Sequence, residues 1–147
     1  MNQGHESQTI QATGNCLCGK VEVTAKNIHP QVHACHCNMC RRWGGGPSMS
    51  VHCGTEVSFS DPESITVYRS CDWAELGFCK HCGSHLFYRA IETGDYILHP
   101  GSFDSSERFE LQQQLFIEEK PAFYDFANRT ENLTGAQVFA MHASGEE

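Results

Sequence analysis

Seven of this chain's nine cysteines stand in three tight groups, and no other feature restricts the possible folds as strongly. The groups are Cys16-Leu17-Cys18, Cys35-His36-Cys37-Asn38-Met39-Cys40 and Cys79-Lys80-His81-Cys82; Cys53 and Cys71 stand alone. An odd total leaves at least one thiol outside any intramolecular disulfide. The opening residues, Met1 to Glu6, have neither the basic start nor the apolar core of a secretory signal, so a cytoplasmic location is expected. Thiols stay reduced there, and clustered cysteines then point to metal or thiol chemistry rather than a disulfide frame. On the same reasoning the Asn-x-Thr sequons at Asn128 and Asn132 are chance matches.

The 147 residues suit one domain, and 39% hydrophobic content is enough to build a core, which excludes wholesale disorder. No apolar run reaches the ~18 residues of a membrane helix. Acidic residues outnumber basic ones 18 to 10, and the net charge of -8 speaks against nucleic acid as a partner. Residues 1–12 are polar and read as a disordered lead into a single domain over 13–147. Period-two alternation and β-branched runs predict strands at 20–25, 48–53, 65–69, 86–91, 96–99 and 112–117. A turn at Thr93-Gly94-Asp95 joins the fourth and fifth of these. Short helical turns are expected over 38–43 and 136–142. The forecast is a small, mainly antiparallel β domain, with metal clips compensating for irregular packing.

Cys16 and Cys18, at i and i+2 of an extended strand, aim both sulfurs to one face. Cys79 and Cys82 converge by a turn, which Gly83 releases. Together they make a four-cysteine tetrahedron, the usual closed structural zinc site. Closing so long a loop feeds the metal's binding energy into folding. Cys35, Cys37 and Cys40 have no fourth cysteine at a linked spacing. A three-ligand zinc keeps a position open for water or substrate, as catalytic sites do, and a thiolate-rich ion is a natural seat for an incoming thiol. Other readings stay open at this point: His33, His36 or Cys53 closing a second structural site, a redox-active thiol set, or a different pairing of all seven sulfurs. His36, between two ligands, faces away from them, as a surface group or a support.

At these residues the chain resembles the family of glutathione-dependent formaldehyde-activating enzymes, which includes centromere protein V. The family pattern stands as Cys16-Leu17-Cys18-Gly19, Cys35-His36-Cys37-Asn38-Met39-Cys40-Arg41 and Phe78-Cys79-Lys80-His81-Cys82-Gly83. The similarity continues through Ser84-His85-Leu86-Phe87-Tyr88, Gly101-Ser102-Phe103-Asp104 and Glu119-Lys120-Pro121. The resemblance implies a β-tent-like fold of small antiparallel sheets around zinc, with two ions per chain. Cys16, Cys18, Cys79 and Cys82 would hold the structural ion, and Cys35, Cys37 and Cys40 the catalytic one. It implies a carbon–sulfur lyase, whose named case condenses glutathione with formaldehyde to S-hydroxymethylglutathione.

Arg41 and Arg42 follow the middle cluster, where a cation can pair with a carboxylate such as those of glutathione. Trp43 and Gly44-Gly45-Gly46 suggest a loop over an open site, with core packing the equal alternative for Trp43. His33, His52, His85 and His99, with Asp72 and Asp104, are candidates for a general base, and a structural role is the simpler account of each. Cys53 and Cys71 read as small buried hydrophobes. Three function classes follow: a zinc lyase acting on thiol adducts of small aldehydes, a zinc-stabilised non-catalytic binding module, and a thiol or metal sensor.

Overall fold

Strand formation follows the apolar phase of the sequence, and where the phase slips the backbone slips with it. The computed structural model describes residues 8–143. The chain divides into two compact units, where the sequence suggests one domain: the first takes residues up to Pro30 and Val51–Phe109, the second Gln31–Ser50 and the chain from Glu110.

In the first unit, β1 (Ile10–Asn15), β2 (Glu22–Ile28) and β5 (Val57–Phe59) form one antiparallel sheet in the order β1-β2-β5. Strand therefore begins at Ile10, inside the segment expected to be disordered over 1–12; residues 1–7 lie outside the described part. Strand β2 buries Val23, Ala25 and then Ile28, a step of two followed by a step of three. The pairing absorbs the odd step: Ala12 faces Ala25 and Ile10 faces Ile28, with a register shift between them. A bulge of one extra residue returns the chain to the same face. Simple alternation ends at Ala25, which is why the sequence places the strand end there.

Four further strands of this unit are β6 (Ile65–Cys71), β7 (Ala74–Cys79), β8 (His85–Ala90) and β9 (Tyr96–Leu98), antiparallel in that order. The Val51–Gly54 part of β4 (Ser48–Gly54) pairs with β9. Val21, Val23, Ala25, Ile28, Val51, Ala74, Leu76, Leu86, Phe87 and Leu98 are buried. Phe59, Phe87 and Tyr96 meet at centroid separations of 5.2–5.8 Å, tilted or edge-on. Burying a large apolar side chain is worth about 1.5–3 kcal/mol, so this patch is a main source of the unit's stability.

The second unit contains β3 (Gln31–Cys35), the Ser48–Ser50 start of β4, β10 (Glu110–Leu115) and β11 (Glu131–Leu133). Strand β10 runs parallel to both β3 and β11, a local departure from the otherwise antiparallel pattern. Helix α1 (Asn38–Gly44) follows β3 after two residues, and α2 (Gly135–Ala143) follows β11. A capping box starts α2: Thr134 N–H donates to Gln137 Oε1 at 2.8 Å, and Gln137 N–H returns to Thr134 Oγ1 at 3.2 Å. The core of this unit is unusually polar. Val32, Ala34 and Leu133 are buried together with His33, His36 and Gln114.

Candidate metal centres

The first sulfur cluster lies wholly in the first unit. Strand β1 stops at Asn15, so Cys16 and Cys18 occupy a turn rather than the extended strand expected of them. Gly19 N–H donates to Cys16 C=O at 3.0 Å and closes that turn. Cys79 ends β7, and Gly83 N–H donates to its carbonyl at 2.7 Å. Gly19 and Gly83 have φ of 81° and 79°, a left-handed region costing other residues about 1–2 kcal/mol. Each cysteine pair is thus closed by the glycine that follows it.

The four sulfurs converge. Sγ of Cys16 is 3.6 Å from Sγ of Cys18, which is 3.8 Å from Sγ of Cys79, and all four ligand atoms lie within 4.8 Å of one another. A tetrahedron with Zn–S of about 2.3 Å has edges of about 3.8 Å, so these thiols fit a zinc ion. Ser84 ties the two halves together: Leu17 N–H donates to its Oγ at 2.9 Å, and its hydroxyl lies 3.2 Å from Cys82 Sγ. That hydroxyl and backbone N–H groups hold the Cys82 thiol down, at about 5. At Cys18 a backbone hydrogen bond from Lys20 lowers the pKa. Desolvation by the surrounding atoms and the three neighbouring sulfurs outweigh it and push the thiol up to about 11. Some sulfurs ionise while others keep protons because adjacent thiolates repel, and a divalent cation removes that conflict.

The second cluster lies wholly in the second unit. Cys35 ends β3. Cys37 has extended backbone (φ -65°, ψ 159°) and caps α1, its sulfur accepting the Cys40 N–H at 3.4 Å. Cys40 sits in the first turn. The three Sγ atoms lie within 4.8 Å of one another, half-buried. Among the described residues no His, Cys, Asp or Glu atom joins them, so the fourth ligands considered from sequence do not take part. Hydrogen bonds from Cys35 and then Cys40 place the negative charge on Cys37, whose pKa falls far below the ordinary thiol value. Cys35 is driven the other way by Cys37, up to about 12, and Cys40 is raised by both.

The remaining candidates sort by position. Arg41 donates from Nε to the His36 carbonyl at 2.9 Å, beside the trio; Arg42 is exposed and Trp43 half-buried on the last turn of α1. His36 is not a surface group: it is fully buried, with Nδ1 2.7 Å from the Tyr124 hydroxyl and Nε2 2.8 Å from Gln114 Oε1. Glu119 accepts the Asn38 N–H at 2.9 Å at the start of α1. Cys53 is buried, its thiol pushed up to about 12 by desolvation, so it is an inert core group. His52, His85 and His99 belong to the first unit and enter neither sulfur cluster, while Asp72 and Asp104 are exposed. Sequence reasoning missed Ser84, Gln114 and Tyr124 as parts of either site. Only for Ser84 is there a local signal, its place directly after Cys82-Gly83.

The sequence family described as glutathione-dependent formaldehyde-activating enzyme matches residues 11–119, most of the chain and all seven clustered cysteines. The chain belongs to this family. A relative from Schizosaccharomyces pombe, named an uncharacterized lyase, is 36% identical over 127 residues, covering 85% of this chain and 92% of its own. The crystal structure of a Rhodobacter sphaeroides protein superposes with a TM-score of 0.55 at 22% identity, over 63% of this chain and 88% of that one. This likeness speaks to the fold alone. Tyr124 lies just beyond the family match.

Proposed function

We propose that this member of the formaldehyde-activating family is a zinc-dependent carbon–sulfur lyase acting on adducts of a glutathione-like thiol with small aldehydes. The observation that carries this reading is the three-sulfur cluster at Cys35, Cys37 and Cys40 with no fourth protein ligand among the described residues. In this reading Cys16, Cys18, Cys79 and Cys82 hold a structural zinc, and the trio holds a second ion. That second ion, when bound, supplies a Lewis acid with a position open to a thiol or water. The protein's part is binding and orientation. The Arg41 guanidinium, anchored by Nε on the His36 carbonyl, keeps its terminal N–H donors for a substrate carboxylate. The second unit also has a cavity of about 640 Å³ lined by Gln114, Lys120, Asp125 and Arg129, among others. Trp43 supplies an aromatic wall on the helix that carries Cys40. The chemistry needs reduced thiols, hence a reducing compartment such as the cytoplasm.

The test joins a metal count to a screen of thiol–aldehyde adducts. We expect two zinc ions per chain and turnover of at least one adduct. Cys37→Ser should abolish turnover while the melting temperature stays near that of the parent. Full turnover in that variant would remove the trio from the chemistry.

A further inference from the structure

The trio reading above leaves open what holds three sulfurs on a strand end and a helix start in register. His36, between Cys35 and Cys37, has every polar group engaged. Its N–H donates to the Leu115 carbonyl at 3.0 Å, and its carbonyl accepts from Arg41 Nε at 2.9 Å. Its ring meets Tyr124 at one nitrogen and Gln114 at the other. One consistent set of donors and acceptors satisfies every member. Gln114 Nε2 donates to Thr130 Oγ1 at 2.9 Å, and the Thr130 hydroxyl donates to Asn132 Oδ1 at 2.6 Å. With Gln114 Nε2 on Thr130, the Gln114 carbonyl faces the imidazole, an arrangement that pairs a hydrogen on His36 Nε2 with acceptance of the Tyr124 hydroxyl at Nδ1. The donors run one way, from Tyr124 through His36, Gln114 and Thr130 to Asn132. Removing a partner of the buried His36 ring would leave a buried polar atom without its bond, at about 1–3 kcal/mol. Tyr124 and Phe126 also pack on the ring, at centroid separations of 5.5 and 6.0 Å.

We propose that His36, clamped by Tyr124 and Gln114, is a positioning residue that presets the Cys35–Cys37–Cys40 trio for a metal ion without ligating it. Neighbouring residues of an extended chain point opposite ways. Locking the ring on one side therefore locks the backbone from which the sulfurs leave on the other. Both ring nitrogens are spent on the clamp, so neither is available to an ion. Preset ligands bind tighter because less ordering remains to be done on binding.

The full chain, reduced and stripped of metal, is titrated with zinc against a chromophoric chelator. This resolves two binding events, and Cys37→Ser identifies the one belonging to the trio. In Tyr124→Phe and Gln114→Leu we expect trio affinity to fall about tenfold or more, as when groups orienting metal ligands are removed. Quartet affinity and the melting temperature of the zinc-loaded quartet should not move. Gln114→Glu, which keeps an acceptor for His36 Nε2–H, should restore most of the trio affinity. The proposal is overturned if Tyr124→Phe and Gln114→Leu bind both ions as the parent does, if both ions weaken together, or if glutamate is no better than leucine at 114. A parent chain that binds a single zinc overturns both this proposal and the trio reading. A chain whose trio affinity follows the clamp but which turns over no adduct overturns the lyase reading alone.

Discussion

Ser84 does two things with one hydroxyl: it accepts from the Leu17 amide and lies within hydrogen-bond reach of the Cys82 sulfur, across 67 residues of chain between Leu17 and Ser84. Ser84→Ala removes both contacts and leaves the cysteines in place. Leu17 is exposed, so water can replace the lost acceptor, and the loss should be near about 1 kcal/mol. A thermal melt of the zinc-loaded protein should read this as a drop of roughly 3 °C. His85 gives a second prediction at this scale. Burial first, and then the nearby His99, lower its pKa below 6.5. The unfolded chain therefore takes up this proton before the folded one does, so the contribution is present above pH 6.5 and is lost as pH falls below it. The difference in stability between the parent and His85→Gln should shift in favour of the variant between pH 7 and about pH 5. Parallel curves for the two proteins would show that His85 titrates alike in both states.

Among the elements, the turns matter more than the strands. Nothing lies within 4 Å of a Cβ built at Gly83, so Gly83→Ala meets no steric neighbour, only the strain of a φ of 79°. It should lower stability by about 1–2 kcal/mol in urea melts. Gly46→Ala, also in open space but free of positive φ, should leave the melt unchanged. The strand at 48–53 was legible from its alternation, that at 65–69 from β-branched and aromatic residues, and those at 86–91 and 96–99 from the turn that the glycine at 94 marks between them. Strand β3 was not foreseen. Val32, His33 and Ala34 are buried in succession, a run without the alternation that marks a strand in the sequence. Strand β7 was hidden in the same way by consecutive buried residues and an internal glycine at 77.

At the scale of the molecule, each compact unit contains one complete sulfur cluster. If the quartet is structural and the trio is open, graded chelation should separate them. The trio's ion should leave first with the far-ultraviolet circular dichroism unchanged. Loss of the quartet's ion should then unfold the chain, because it joins loops 61 residues apart. Cys79→Ser should be insoluble or melt far below the parent; a soluble variant with an unaltered melt would sink the structural assignment. The sequence by itself determined the three local sulfur groups, because ligand spacing within a turn is local chemistry that a few residues encode; the tertiary structure decided that the Cys16–Cys18 pair meets the Cys79–Cys82 pair. The sequence also determined the β character, because alternation is local too. Tertiary structure alone decided that no His, Cys, Asp or Glu among the described residues joins the trio as a fourth ligand. It likewise decided that His36 is buried, and that its ring is met by Gln114 from β10 and Tyr124 from the loop beyond it. Those partners lie 78 and 88 residues from His36, and no pattern within a strand or turn can announce a hydrogen bond closed over such a distance.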